Sequence, residues 1–348
     1  MSGQFAKLGF GEILLTSSAQ VDTSKPKAHP VAEFAQMILN TGLLSSKPPI
    51  EKLKCHFIGA NNFLEQICSY LTEFNGQIEE AIKREAPDTF ILAQFLTPPA
   101  ILSRSATLPW IYHVPFNPLG LYTSPNVPPF FSGFPSNSDP ASWAEFRAVQ
   151  EGEYLDGFRQ YQKKLNDACG YKRSAEESSN KSFFLKSPYL NTYCITAELD
   201  YTDLAPAPEK SVRMDDSCRE EEIHVPLALP ESFATPKDDS SLIYFSLGWA
   251  LFFKSYFILN LHFSGSMGSI DVPLVKRILS VLATTPHRYI VSKGPRAEEY
   301  DLPENCWGEA YLPQTRVLPL VDLVITHGGH NSVSETMTFG KPMIVFPL

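Results

Sequence analysis

Several things this chain does without narrow its class before any motif is read. Its six cysteines, Cys55, Cys68, Cys169, Cys194, Cys218 and Cys306, form no C-x-x-C pair and no metal-ligand spacing. They read as reduced thiols of a cytoplasmic protein and offer no metal site. The N-terminal MSGQFAKLGFGE has no sustained apolar core and does not read as a signal peptide. No apolar run is long enough to span a bilayer: the most apolar candidate, Trp249 to Phe263, is short and is interrupted by Lys254 and His262, so no membrane segment is expected in this chain. An excess of basic charge is also missing. The formal net charge of -9 argues against nucleic acid or an anionic membrane surface as partner.

What is present suffices for a large interior: 348 residues at 43% hydrophobic suggest two domains. Phe5 to Ser18 reads as the end of a helix followed by a strand over Glu12 to Thr16. Ala60 to Glu85 is the clearest helical region, with Leu64, Ile67, Cys68, Leu71, Ile78 and Ile82 on one face and Gly76 as a candidate break. Thr89 to Phe95 and Trp110 to Val114 read as strands. Pro115 to Pro140 is too rich in Pro, Asn and Ser for a regular element. Ser142 to Asn166 is amphipathic and helical, with Gly170 suited to its end, and Tyr189 to Leu199 reads as a strand with nearby loop. From Ala205 to Ser241 no period is sustained, and the domain boundary is placed near the end of that segment, giving domains 1–235 and 236–348. Leu242 to Leu247 then reads as a buried strand. Asp271 can cap a helix with Val275, Ile278, Leu279 and Leu282 at core spacing, and Arg288 to Ser292 is the next strand.

The most informative stretch is the last, Tyr311 to Leu348. The apolar run Leu320 to Ile325 suits a buried parallel strand. Thr326-His327-Gly328-Gly329-His330 follows as a small-residue turn, Ser332-x-x-Glu335 has the spacing of a helix start, Gly340 can end that helix, and Met343 to Phe346 reads as another strand. A strand, glycine turn and helix in this order present free backbone N–H groups and a positive dipole end at the carboxyl edge of a sheet. That is a place for a phosphate.

The run Tyr311-x-Pro313-Gln314, then Asp322-Leu-Val-Ile-Thr-His327-Gly-Gly-His-Asn331-Ser332-x-x-Glu335 and Gly340-Lys-Pro342-Met-Ile-Val-Phe-Pro347, resembles the donor-binding signature of the UDP-dependent glycosyltransferases. The resemblance implies two Rossmann-like α/β domains facing a cleft, the GT-B arrangement. It also implies transfer of a hexosyl group from a UDP-sugar donor to a small, lipophilic acceptor, with the UDP-sugar as co-substrate and no further cofactor. By the same resemblance Tyr311, where the family usually has Trp, would stack on uracil, Gln314 would meet the base edge and Glu335 the ribose hydroxyls. His327, Gly329, Asn331 and Ser332 would surround the diphosphate, together with a turn containing Gly268 and Ser269. Singly, Glu335 could close a capping box with Ser332, His327 could be structural and Tyr311 could be packing; the joint spacing favours the nucleotide-sugar site.

The chain also departs from the family pattern. The turn carrying the family's catalytic histidine has no counterpart near the N-terminus, and His29 reads as a solvated loop residue. The aspartate that orients that histidine aligns with Ala93, so no catalytic base is assigned. Phe116, Phe130, Phe131 and Phe134 could line an acceptor pocket or simply pack under their loop. The Asp-Gln pair that holds the sugar in the family would follow Leu348. These departures keep open a second reading, a non-catalytic nucleotide-binding fragment. A sugar-nucleotide epimerase of the same two-domain plan is a third.

Between the strand ending at Gly248 and the turn Ser266-Met267-Gly268-Ser269 lies an aromatic, apolar stretch, residues 249–265, whose deletion would restore an uninterrupted Ser-Leu-Gly-Ser-Met-Gly-Ser. Either Leu242 to Leu247 or Tyr256 to Phe263 could then supply the strand that feeds the turn. The stretch reads as translated intron or an error of the gene model. Sequencing of mature transcripts across this junction is expected to show the codons for 249–265 missing from most messages; their presence in the majority would refute that reading.

Overall fold

This computed structural model describes residues 6, 9–17, 47–93, 96–115, 117–173, 185–215, 218, 226–234, 240–248 and 268–346, without the side chains of 55–63, 66, 153 and 154. The expected boundary between 235 and 236, the stretch 249–265, His29 and Phe116 lie outside the described residues.

Two all-parallel sheets organise the chain. The first contains β1 (Phe90–Leu92), β2 (Trp110–Val114), β3 (Leu190–Cys194) and β4 (Ser211–Met214) in that order. The second contains β5 (Leu242–Ser246), β6 (Arg288–Ser292), β7 (Cys306–Glu309), β8 (Leu323–Thr326) and β9 (Met343–Val345) in the order β7-β6-β5-β8-β9. Parallel pairing needs long crossovers and brings every carboxyl end of a sheet to one edge. In the second sheet the strand order reverses between β5 and β8. Such a reversal leaves a crevice outside the carboxyl ends, the usual ligand position in open α/β sheets.

The long helix α1 (Pro49–Glu85) has 37 residues, a rod of roughly 55 Å. It begins with proline at its first position and runs through Gly76 without the expected break. It stops at Ala86, whose left-handed conformation (φ 42) lets its N–H reach the Ile82 carbonyl. Its apolar face is the expected one: Leu64, Ile67, Cys68, Leu71 and Ile82 are buried, with Ile78 half-buried beside them. They share a core with Trp110, Tyr112 and Val114 of β2 and with Phe158 and Leu165 of α3 (Asp156–Ala168), a helix continued from α2 (Pro140–Val149) through a π-helical segment, Gln150–Leu155. Glu12 to Thr16 forms no strand. It runs instead along α1, where the Gln77 amide takes both backbone groups of Thr16 (3.0 and 2.8 Å). Phe130 and Phe134 join the core rather than a pocket wall, and Phe131 is exposed.

Buried polar side chains fix the turns at the first sheet's edge. Gln162 exchanges two hydrogen bonds with the backbone of Thr97 (2.9 and 3.0 Å), as a neighbouring strand would, and the Asn75 carbonyl accepts from Ala100 N–H at 2.8 Å. Asp200 accepts from the hydroxyls of Tyr122 (2.9 Å) and Tyr193 (3.0 Å), from Tyr201 N–H (2.8 Å) and from Arg213 (3.2 Å). Burial and this carboxylate hold the Tyr122 phenol far above its ordinary range, so it stays a donor.

In the second sheet every residue of β5 is buried, as a central parallel strand requires. Leu242 to Ser246 therefore forms the central strand of this sheet. At Gly308 in β7 a Cβ would lie 1.9 Å from the Val291 carbonyl of β6, so only glycine fits. The helix α4 (Val272–Leu282) is capped by Asp271, whose carboxylate accepts from Leu274 N–H at 3.0 Å. Its face of Val275, Leu279 and Leu282, with Ile278, packs on β5 and β6. Leu227, Leu229 and Phe233 pack on the opposite face, against Tyr244, Ile290 and Val324.

Replacing Asp200 by alanine leaves two buried tyrosine hydroxyls without an acceptor. We expect a loss of about 2–5 kcal/mol in the denaturant unfolding free energy and a smaller loss for Asp200→Asn. A change below about 0.5 kcal/mol for Asp200→Ala would show that the network does not fix this turn.

Candidate functional site

The site lies where the second sheet's strand order reverses. β5 and β8 are adjacent, with Ser246 opposite Thr326, so the turns after both strands share one edge. After β5 the chain reaches Gly248, and the Ser269 hydroxyl donates to the Gly248 carbonyl at 2.5 Å. Gly268 and Ser269 are buried in the short 3-10 turn Gly268–Ile270. Gly248 and Ser269 on either side of the stretch 249–265 therefore meet, and the Ser-Leu-Gly and Gly-Ser pieces form one turn in space.

After β8 come His327, Gly328 and Gly329. Gly328 has φ +82, and a Cβ there would lie 2.7 Å from Val345 Cγ1 of β9, so the backbone can bend this sharply only as glycine. Gly329 is the N-cap of α5 (His330–Thr338). The helix thus starts three residues earlier than the S-x-x-E spacing predicts, and no side chain caps it. Ser332 and Glu335 consequently form no capping box. Asn331 and Ser332 lie in the first turn, where backbone N–H groups have no intrahelical partner.

Among the described residues, three of the five buried side-chain polar atoms without a hydrogen bond belong to this turn: both ring nitrogens of His327 and Nε2 of His330. Buried polar groups are nearly always satisfied, so this concentration marks a place for an outside acceptor. Burial pushes the His327 imidazole down to about 4, opposed only in part by the Ser246 backbone. Burial, and then the neighbouring His113, lower His330 as well. Both rings are neutral at physiological pH and can each donate one N–H.

Gln314 opens the short helix Gln314–Val317, three residues after half-buried Tyr311. The Gln314 amide donates to Glu335 Oε2 at 2.6 Å, and both side chains are buried, Glu335 completely. The structure therefore brings together Gly268, Ser269, His327, Gly329, Asn331 and Ser332 around one edge, and joins Gln314 to Glu335 beside it. Sequence reasoning missed two features. Gly248 was read only as the end of a strand, and His330 had no assigned role although it stands in the motif.

The Glycosyltransferase family 28 C-terminal domain model matches residues 308–348. The uncharacterized UDP-glucosyltransferase YojK of Bacillus subtilis (strain 168) is 42% identical over 52 residues, 15% of this chain and 13% of that protein. The NDP-glycosyltransferase YjiC of the same organism is 32% identical over 121 residues, 34% of this chain and 26% of that one. Over these matched residues the chain is similar to the UDP-glycosyltransferases. The glycosyltransferase of kitacinnamycin superposes with a TM-score of 0.53 at 17% identity, covering 88% of this chain and 66% of that structure, and the two-sheet architecture is of the GT-B type. The matches thus span 13% and 26% of the two curated relatives and just under two thirds of the solved structure.

For His327 the unfolded chain binds a proton near its ordinary 6.5, whereas the folded chain does so only near 4. Stability is then full above about pH 6.5 and falls as the pH drops from there towards 4, by about 3 kcal/mol at most. His327→Gln should flatten the fall in melting temperature between pH 7 and pH 4.5. Superimposable profiles for the two proteins would refute the assignment of a proton-resistant imidazole at 327.

Proposed function

We propose that this chain binds a UDP-sugar and transfers its hexosyl group to the hydroxyl of a small, lipophilic acceptor. One observation carries the donor half of this reading: the unpartnered imidazole nitrogens of His327 and His330 stand at the first turn of α5, beside the turn of Gly248 and Ser269. Neutral donors and helix N–H groups suit the diphosphate, whose negative charge grows as the bond to the sugar breaks.

The buried Gln314–Glu335 pair supports a nucleoside position. A carboxylate can accept several hydrogen bonds, so Glu335 would meet ribose hydroxyls while its Oε2 accepts from Gln314, and the Gln314 amide would offer its carbonyl to the base edge. Tyr311 would supply the flat surface for uracil. Because Glu335 is fully buried, donor entry in this reading requires a small displacement of the side chains around it. The UDP-sugar is the co-substrate, and the reading calls for no further cofactor. A cytoplasmic setting accords with the free thiols of Cys68, Cys169, Cys194, Cys218 and Cys306. Among the described residues no helix is long and apolar enough to cross a membrane.

Calorimetric titration of UDP into the purified chain should give micromolar affinity, about -8 kcal/mol. Glu335→Gln should weaken it at least tenfold, about 1.4 kcal/mol, with the fold verified by circular dichroism. Equal affinity in both proteins would remove Glu335 from the site. A folded chain that does not bind UDP would refute the donor assignment.

A further inference from the structure

Transfer to a hydroxyl needs a group that takes its proton, and among the described residues of the donor half the buried histidines, His327 and His330, stand at the proposed diphosphate position. The first sheet meets that half at its carboxyl edge, where Thr196, just beyond β3, donates its hydroxyl to Met337 Sδ of α5 at 3.6 Å. The penultimate residue of β2 at this edge is His113. Alternation along β2 sends Trp110, Tyr112 and Val114 into the core and leaves His113 half-buried on the other face. There it pairs in register with Thr192 of β3, and its Nδ1 lies 2.9 Å from the Thr192 hydroxyl oxygen. Its Nε2 lies 4.0 Å from Cys194 Sγ, a weak partner at that distance. His113 is also near enough to His330 of the donor half to disfavour a second proton there.

We propose that His113 is the proton acceptor of the transfer, held by Thr192 through Nδ1 and presenting Nε2 to the acceptor hydroxyl beside the first turn of α5. With the Thr192 oxygen accepting, the neutral ring carries its proton on Nδ1 and its lone pair on Nε2. As the acceptor oxygen bonds to the anomeric carbon, its proton passes to Nε2. The bond from that carbon to the β-phosphate oxygen breaks, and its electron pair leaves with UDP. The imidazolium keeps its Nδ1–H on Thr192 and returns the extra proton to solvent after product leaves. This inference rests on the transferase reading above.

The test measures UDP binding and acceptor-dependent UDP release from UDP-glucose, with a panel of small phenols, for the full chain and for His113→Ala and His113→Gln. We expect both variants to bind UDP within about twofold of the unsubstituted chain and to lose 10²- to 10⁴-fold in kcat. Added imidazole should restore release in His113→Ala by at least about tenfold, a rescue that loss of a purely structural histidine would not show. Release from both variants within about threefold of the unsubstituted chain overturns the role of His113 and leaves the transferase reading intact. A kcat loss accompanied by equally weakened UDP binding and no rescue also overturns it, making His113 a structural link between β2 and β3. If the unsubstituted chain binds UDP and releases none with any acceptor, the transferase reading itself fails and this assignment falls with it.

Discussion

The site depends on the adjacency of β5 and β8. Strands 80 residues apart in sequence are locked in parallel register, and their junction is closed at the other end by Asp322, whose carboxylate accepts from Leu242 N–H at 2.8 Å. Parallel pairing then leaves no choice about where the following turns go, because both leave the same edge. Everything proposed to contact a nucleotide follows from this placement: the Gly248 and Ser269 turn from one strand, the His327 to Asn331 turn from the other, and α5 directed away from the crevice. The close fit of Gly328 against Val345 of β9 adds the last constraint. It allows the chain to turn at once into the helix, so that the first helical N–H groups remain at the edge.

A buried ring nitrogen without a partner is normally a defect, costing about 1–3 kcal/mol for each group left unsatisfied. The ring nitrogens of His327 and Nε2 of His330, within four residues, are hard to reconcile with selection for stability alone. Their cost makes sense as pre-organisation: buried donors already stand at the helix start where the proposed anion would lie. Neutrality matters here as well. A cation in this turn would repel the dipole of α5, whose positive end it would share, whereas a neutral donor and the dipole act on a phosphate in the same sense.

Central strands were the most legible part of the sequence. β2, β5 and β6 are short apolar runs, and their expected limits fall within a residue of those observed. Of the edge strands, β1 and β9 fall inside expected strands, whereas β4 and β7 were not read. β4, Ser211–Met214, alternates half-buried and exposed residues, and β7, Cys306–Glu309, carries a glycine that composition reads as a loop. The start of α5 was misplaced because its N-cap is Gly329 rather than a side-chain cap, so the visible serine spacing pointed inside the helix. Among the candidate site residues, those of the motif other than His330 were named from the sequence, but relations across the chain were hidden. The contact between Gln314 and Glu335 crosses 21 positions and that between His113 and Thr192 crosses 79. Neither follows from local pattern, because only sheet register sets which residues become neighbours.

At the first sheet's edge Gln162, Asn75 and Asp200 spend hydrogen bonds on backbone and neighbouring side chains, which fixes its turns, while Asn166, which accepts from Gln162, leaves its Nδ2 without a partner. At the second sheet's edge the unpartnered atoms are the ring nitrogens of His327 and Nε2 of His330. The element connecting the two edges is α5. Its first turn faces the proposed diphosphate position, Glu335 in its middle is bonded to Gln314, and Met337 near its end takes the Thr196 hydroxyl from the other half. Nine residues of helix thus touch the nucleotide position and the first sheet at once.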